Sequence, residues 1–145
     1  MRLLLDTHAL LWALSASAEL PAGLRDMLED SANSVFVSAA SVWEMAIKQA
    51  RGKLRYPAEE VAAALRRASL LELPVTVRHA EAAAGLPPLH RDPFDRMLVA
   101  QAQVEGLSLV SRDSAVRQYQ VTVLWGPEVQ APRASYRVKR KRLRR

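Results

Sequence analysis

The 145-residue chain contains no cysteine. Disulfide bonds, thiolate metal sites and cysteine nucleophiles are therefore excluded, which favours a reducing compartment. Its three histidines are scattered and do not match a zinc site. Apolar runs are interrupted by charge well before the roughly 20 residues that span a bilayer. Only three leucines separate Arg2 from Asp6, too few for the apolar core of a secretory signal, so we predict a cytoplasmic protein without membrane contact.

Acidic residues are nearly absent from the carboxyl end. Residues 126–145 contain eight Lys or Arg and a single acid, Glu128, whereas residues 1–125 contain 13 basic and 14 acidic side chains. The net charge of +6 therefore belongs to a tail and not to the rest of the chain. We predict one domain over residues 1–125, long enough for a hydrophobic core, and a flexible basic tail over residues 126–145. Such a tail either contacts nucleic acid phosphates or has no specific partner.

Short apolar runs alternate with helical patterns along the domain. The strand-like runs cover residues 2–5, 35–37, 70–73, 107–110 and 121–124. Apolar spacings of three and four residues predict helices between them, with Asp92-Pro93 as one helix start and Gly106 as its end. This alternation predicts an α/β fold of three layers, with a central, mainly parallel sheet of four to five short strands and helices on both faces.

Four acidic residues follow strand-like runs or fall in the first turn of predicted helices: Asp6, Glu44, Asp95 and Asp113. In an open α/β sheet, ligands bind outside the carboxyl ends of the strands, so these acids are predicted to share one cleft. Like charges in such a cleft repel unless protons or cations neutralise them. Carboxylate oxygens are hard ligands that suit Mg²⁺ or Mn²⁺. The pattern therefore favours metal-assisted hydrolysis of phosphodiester bonds.

A structural role explains each acid equally well when it is taken alone. Glu44 follows Ser41 by three residues, which is the spacing of a capping box. Asp95 falls in a first helical turn behind Asp92, where a negative charge meets the helix dipole favourably. The remaining two acids are candidate N-caps of short helices: Asp6 and Asp113. The metal hypothesis gains its weight from the joint placement of all four.

Histidine and tryptophan indicate no chemistry by their positions. His8 and His90 have no partner at a meaningful spacing, so we predict that both are structural. Trp12 and Trp43 fall on apolar helix faces, and we predict core or partner contacts for them in preference to base stacking.

Four motifs carry a resemblance to a known family. They are Leu3-Leu-Leu-Asp6-Thr7-His8-Ala-Leu-Leu-Trp12, Ser38-Ala-Ala-Ser-Val-Trp-Glu44, His90-Arg-Asp-Pro-Phe-Asp95-Arg-Met-Leu-Val-Ala100 and Leu109-Val-Ser-Arg-Asp113. Together they resemble the PIN-domain ribonucleases, and more narrowly the VapC-type toxins of bacterial toxin-antitoxin pairs. The match runs in order over residues 2–125, and its Asp-Thr-His and Asp-Pro-Phe-Asp segments are specific to one branch of the family. A PIN-like form of the three-layer fold is therefore expected.

The resemblance also implies a site. One or two Mg²⁺ or Mn²⁺ ions would be held by the catalytic acids, most directly by Asp6 and Asp95, with Thr7 and Ser111 as supporting hydroxyls. Arg96 and Arg112 lie beside the acids in sequence; they either hold a substrate phosphate or form solvent-facing ion pairs. Water activated by the cation would attack phosphorus and leave a 5′-phosphate and a 3′-hydroxyl. The full set of implied metal ligands is Asp6, Glu44, Asp95 and Asp113.

The expected substrate is RNA, and the expected partners are a cognate antitoxin and a second copy of the chain. The basic extension is not explained by the resemblance. One alternative is a non-catalytic PIN-like module for protein interaction or nucleic acid binding, in which the acids serve only as caps. Another is an aspartyl-phosphate phosphotransferase with Asp6 as nucleophile, but the chain lacks the second Asp two positions later that such enzymes usually use.

Overall fold

The computed structural model describes residues 1–126, so the predicted basic tail lies almost entirely outside the described residues. The centre of the fold is a five-stranded sheet in the order β3-β2-β1-β4-β5, in which every neighbouring pair is parallel. This confirms the predicted parallel sheet. The strands are β1 (Arg2–Leu5), β2 (Ser34–Ser38), β3 (Leu71–Leu73), β4 (Ser108–Val110) and β5 (Val123–Leu124).

Helices connect the strands and cover the sheet. Within the described residues there are six α-helices and two 3₁₀ helices, the latter at Ala58–Glu60 and Ser114–Gln118. None of these helices, all drawn from residues 1–126, is long and apolar enough to cross a membrane. The α-helices are α1 (Thr7–Leu14), α2 (Ala22–Glu29), α3 (Ala39–Ala50), α4 (Val61–Arg67), α5 (Val77–Ala84) and α6 (Pro93–Glu105).

Alternate residues of β1 enter two separate apolar cores. Leu3 and Leu5 pack into a cluster with side chains of α1 to α4, whereas Leu4 packs with α6 and the segment around Tyr119. All three leucines are fully buried. Because side chains alternate between the faces of a strand, a continuous apolar run is what a strand buried on both faces requires. The three-layer α/β prediction is confirmed.

Two local predictions differ from the structure. The last strand is shorter than the predicted 121–124, because only Val123 and Leu124 pair in register with β4. Helix α3 begins before Ser41: the Ser38 hydroxyl accepts a hydrogen bond from the Ala40 N–H (3.0 Å) and is the N-cap. The capping box predicted for Glu44 is therefore wrong, since its supposed cap lies inside the helix.

The sheet reverses its direction of growth beside β1. From β1 the chain adds β2 and β3 on one side, and β4 and β5 then extend the other side. At such a switch point the loops that follow the two adjacent strands diverge and leave a crevice. Asp6 directly follows β1, and Asp113 lies three residues after the end of β4. The topology therefore brings two of the four predicted acids to the same crevice.

Candidate metal centre

A cleft of about 240 Å³ opens at the carboxyl ends of β1 and β4. It contains all four predicted acids, although they come from widely separated parts of the chain. Two cationic side chains and one tryptophan complete its walls. The lining residues are Asp6, Thr7, His8, Trp12, Glu44, Lys48, Asp92, Asp95, Arg112 and Asp113.

Asp6 occupies the floor of the cleft, and only 6% of the residue is exposed. Its Oδ1 accepts a hydrogen bond from the Ala9 N–H (2.8 Å), so it is also the N-cap of α1. Burial raises the pKa of Asp6, although hydrogen bonds from the Ser111 hydroxyl and the Ala9 amide oppose that effect. The same Ser111 hydroxyl accepts the Asp113 N–H (3.0 Å), so this predicted supporting residue contacts two of the acids.

Glu44 reaches the cleft from α3, and its carboxylate is bound on both sides. Oε1 accepts a hydrogen bond from the Thr7 hydroxyl, and Oε2 lies 3.1 Å from the Lys48 ammonium. Lys48 is four residues further along the same helix, so the two side chains lie on one face. Thr7 therefore supports an acid, as predicted, and Lys48 is a cation that the sequence argument did not identify.

His90 joins the remaining two acids. Its Nε2 lies 3.0 Å from Asp95 Oδ2 and 3.0 Å from Asp113 Oδ2. Within residues 1–126, these three side chains are the group whose ligand atoms all lie within 4.8 Å of one another. Asp113 also caps the following 3₁₀ helix, because its Oδ1 accepts the Ala115 N–H (2.8 Å). His90, for which the sequence offered no partner, therefore contacts two of the four predicted acids.

Burial and neighbouring negative charges shift the pKa values of this cluster. Burial raises the pKa of Asp95 to about 7, and the neighbouring charge of Asp92 adds to the effect. Burial also raises the pKa of Asp113, but hydrogen bonds from Ala115 and His90 outweigh it, so the net direction is downward. Burial lowers the pKa of His90, yet Asp113 and Asp95 together turn the net shift upward. A cation would relieve the repulsion among these carboxylates.

The donor set fits a hard divalent cation. Carboxylate oxygens from Asp6, Glu44, Asp95 and Asp113 face a cleft large enough for an ion and its waters. The described residues contain no cysteine, so soft-metal sites built on thiolates do not apply. Mg²⁺ and Mn²⁺ both suit an oxygen-rich site of this kind.

The two arginines considered for phosphate binding, Arg112 and Arg96, lie in different surroundings. Arg112 lines the cleft, pairs with Glu19 (2.9 Å) and lies over the Trp12 ring at 4.6 Å from its centroid. Arg96 instead donates hydrogen bonds to the carbonyl oxygens of residues 83, 86 and 87 and to the Tyr119 hydroxyl. Its guanidinium hydrogen-bonds to the segment before α6 and to Tyr119, so Arg96 is in neither of the two situations considered for it, a substrate-phosphate contact or a solvent-facing ion pair.

Sequence reasoning missed His90 and Lys48. Lys48 had a local signal, since a lysine four residues after a glutamate on a helix is a neighbouring side chain. His90 had none, because its acidic partners lie on a helix that follows it and on a loop 23 residues away. The two tryptophans also separate. Trp12 packs against His8, Trp125 and the main core, whereas Trp43 is 65% exposed and contacts Phe94.

A larger cavity, about 540 Å³, lies near the amino ends of β2 and β3. Leucine and alanine side chains from α1 and α2 supply much of its lining. None of the four predicted acids reaches it. The four predicted acids lie together in the cleft at the opposite, carboxyl edge of the sheet.

Comparison with known families agrees with this geometry. The PIN domain family model matches residues 3–121, and the chain belongs to the PIN domain family. Comparison with curated proteins finds no significant match.

Solved structures share the fold at low sequence identity. VapBC2 from Rickettsia felis, bound to a DNA fragment of its promoter, is similar with a TM-score of 0.65 and 13% identity over 87% of this chain and 100% of that chain. A toxin-antitoxin complex from Klebsiella pneumoniae gives a TM-score of 0.58 and 19% identity, covering 84% and 95%. FitAcB from Neisseria gonorrhoeae gives 0.57 and 19%, covering 85% and 96%. At these identities the likeness defines the fold.

Proposed function

We propose that this protein is a metal-dependent endoribonuclease and the toxin of a toxin-antitoxin pair. One observation carries the proposal: four acids from four separate segments line a single cleft at the switch point of a PIN fold. Helix capping does not explain this convergence, even for the two acids that are N-caps. Asp6 and Asp113 would cap α1 and the 3₁₀ helix wherever those helices lay.

The acids Asp6, Glu44, Asp95 and Asp113 would hold one or two Mg²⁺ or Mn²⁺ ions. A divalent cation at such a site activates water and stabilises negative charge on phosphoryl oxygens. Around it, Thr7 and Ser111 hold carboxylates in place through their hydroxyls. Attack by water, and not by the ribose 2′-hydroxyl, would leave a 5′-phosphate and a 3′-hydroxyl on the products.

Substrate phosphates would meet the cationic wall of the cleft. Arg112 lines the cleft, and its partner Glu19 forms an exposed ion pair of the kind that contributes little energy and exchanges readily. The Lys48 ammonium also lines the cleft, 3.1 Å from Glu44 Oε2. A guanidinium can bind a phosphate through two parallel hydrogen bonds, so we assign the phosphate-binding role to Arg112, with Lys48 as a second contact.

The proposed partners follow from the structural neighbours. The compared structure from Klebsiella pneumoniae is a toxin-antitoxin complex, and VapBC2 from Rickettsia felis is bound to a DNA fragment of its promoter. A cognate antitoxin is therefore our proposed partner, with a homodimer as the proposed form of the toxin. The domain itself would span residues 1–125, with residues 126–145 as a separate basic tail.

The test is cleavage of end-labelled total RNA by purified protein freed of any partner. The assay would contain Mg²⁺, Mn²⁺ or a chelator, and the product ends would be identified. We expect discrete, metal-dependent cuts with 5′-phosphate ends. Asp6→Asn should abolish cutting, and Glu81→Gln, which removes an exposed carboxylate of α5 outside the cleft, should retain it.

The alternative is a binding module in which the acids only cap helices. It predicts that folded Asp6→Asn and Glu44→Gln variants behave like the wild type in metal binding, and that no RNA in the pool is cut. Retained metal binding in both variants would contradict our assignment of the site.

A further inference from the structure

We propose that His90 is a positioning residue of the acidic site: its Nε2–H donates a hydrogen bond to Asp113 and lies against the Asp95 carboxylate, and it thereby holds the two carboxylates in the cleft. This inference rests on the proposed metal site. It gives His90 a role toward the cation without making it a ligand.

Both contacts of His90 Nε2 are short, but only the contact with Asp113 is a hydrogen bond, and the contact with Asp95 is electrostatic. Nε2 lies 3.0 Å from Asp95 Oδ2 and 3.0 Å from Asp113 Oδ2, and 17% of the His90 side chain is exposed. Two carboxylates that approach one another in a partly buried cleft repel. An N–H group that donates to Asp113 and lies 3.0 Å from Asp95 offsets that repulsion and fixes the relative placement of two acids that come from different elements.

The other ring nitrogen decides which role His90 can play. The Asp92 backbone N–H donates a hydrogen bond to Nδ1 (3.2 Å), so Nδ1 is the acceptor and the ring proton resides on Nε2. A ring protonated on both nitrogens would also present Nε2–H to the carboxylates. Only the opposite tautomer leaves Nε2 free to bind a metal, and that tautomer turns its Nδ1–H against the Asp92 N–H. The geometry therefore makes His90 a donor.

The loop that carries His90 is held from both sides. The Tyr119 hydroxyl accepts the His90 backbone N–H (2.9 Å) and donates to the Pro87 carbonyl oxygen (2.9 Å). Arg96 donates to the same Pro87 oxygen (2.9 Å) and to Ala83 O (2.9 Å). Tyr119 is only 6% exposed. This Arg96–Tyr119 clamp fixes the loop that places His90 beside Asp95 and Asp113.

Hydrogen-bond donors behind a metal's carboxylate ligands orient those ligands, and their loss typically weakens metal binding about 10- to 100-fold. We therefore expect His90→Ala to weaken Mn²⁺ binding by about 10- to 100-fold, as measured from the electron paramagnetic resonance signal of free Mn²⁺. His90→Gln retains an N–H donor of similar reach, and we expect it to recover most of the affinity. Circular dichroism would check that both variants fold, and Glu81→Gln is the matched surface control.

A second measurement reads the ring itself. Long-range ¹⁵N–¹H NMR of the ¹⁵N-labelled protein distinguishes the two histidine tautomers. We expect a proton on His90 Nε2 both without metal and with saturating Mg²⁺, which is diamagnetic. An unprotonated Nε2 in the Mg²⁺-loaded protein would make His90 a ligand and overturn the proposal.

The remaining outcomes separate this inference from the proposed function. Unchanged Mn²⁺ affinity in His90→Ala, or no Mn²⁺ binding by the wild type, overturns the positioning role. If the wild type binds Mn²⁺, His90→Ala weakens binding and no RNA is cut, the positioning role stands while the endoribonuclease proposal fails. The two ideas therefore fail on different readouts.

Discussion

Asp6 combines a structural and a chemical task on one side chain. It caps α1 through Oδ1 and also lines the cleft. Asparagine is as good an N-cap as aspartate, whereas alanine costs about 1 kcal/mol at such a position. We therefore expect Asp6→Asn to retain the wild-type unfolding free energy while losing metal binding, and Asp6→Ala to lose about 1 kcal/mol as well. Urea unfolding with a parallel Mn²⁺ titration would show this, and wild-type metal binding by either variant would contradict it.

We expect metal binding at the proposed site to depend on pH through Asp95. Burial, followed by the charge of Asp92, raises the pKa of Asp95 to about 7, so the carboxyl must lose a proton before it can bind a cation. We expect Mn²⁺ affinity to rise about tenfold per pH unit below pH 7 and to level off above it. Calorimetric titrations of Mn²⁺ binding between about pH 5.5 and 8.5 would measure this, because a group with a pKa near 7 titrates over that range.

Asp92→Asn is the matched variant for the Asp95 effect. Asparagine retains the acceptor that caps α6 but removes a charge that raises the Asp95 pKa. The midpoint of the affinity profile should therefore move to lower pH. A profile that does not move would show that Asp95 does not control binding.

The same shift changes stability in a definite direction. The pKa of Asp95 rises from 3.8 in the unfolded reference to about 7 in the fold, so the folded protein binds this proton more tightly. Without metal, stability should therefore fall as pH rises from about 4 to about 7 on account of this group. Added Mn²⁺ should raise the melting temperature more at pH 8 than at pH 6. An equal rise at both values would contradict the assignment.

Thr7 supports Glu44 in a buried position. Its hydroxyl donates to Glu44 Oε1, and the residue is 4% exposed. Thr7→Val keeps the shape but leaves a buried carboxylate oxygen without its donor, which should cost about 1 to 3 kcal/mol of unfolding free energy. Thr7→Ser retains the donor and should lose less. Chemical denaturation of both variants compares them directly, and equal losses would show that packing of the methyl group is what counts.

At the scale of one element, Gly106 ends α6 in the left-handed conformation. Its φ is 65°, and a Cβ placed there would meet nothing within 4 Å. A substitution therefore costs backbone energy and causes no clash. We expect Gly106→Ala to lower the unfolding free energy by about 1 kcal/mol, and Gly106→Asn by less, since Asn adopts this conformation more readily. Thermal unfolding would rank the three proteins, and an unaffected Ala variant would contradict the argument.

Helix α6 also shows how one element prepares the site. Asp92 caps its N-terminus through Oδ1, and Pro93 starts the helix, so Asp95 falls in the first turn at the mouth of the cleft. One turn in which cap, proline and acid follow each other places the acid reliably. The sequence pattern was sufficient to predict this element because every interaction in it is local.

At the scale of the whole molecule, charge divides between an acidic cleft and a basic tail. Trp125 packs on Trp12, which lines the cleft, with 5.7 Å between ring centroids. Trp125, near the end of the described residues, therefore lies close to the site. If the tail contacts substrate phosphates, deleting residues 133–145 should flatten the dependence of RNA affinity on salt concentration, because fewer counterions are released.

The tail experiment has a matched control of equal length. Replacing every Lys and Arg of residues 133–145 by Gln should flatten the slope as the deletion does, and Glu81→Gln should leave it unchanged. Binding would be measured with chelator present so that no RNA is cut. If deletion leaves the salt dependence of RNA affinity unchanged, the tail does not contact RNA.

The sequence by itself determined the order of elements, the parallel sheet and the four acids, because apolar periodicity, caps and strand ends are local patterns. It also assigned Thr7 and Ser111 to the acids, on family resemblance. Only the tertiary structure decided which groups meet. His90 reaches Asp95 and Asp113 through a loop fastened by Arg96 and Tyr119, and such contacts depend on how distant segments pack. The structure therefore places Arg96 outside the cleft and His90 beside its acids, and local spacing in the sequence carries no information about such contacts between elements.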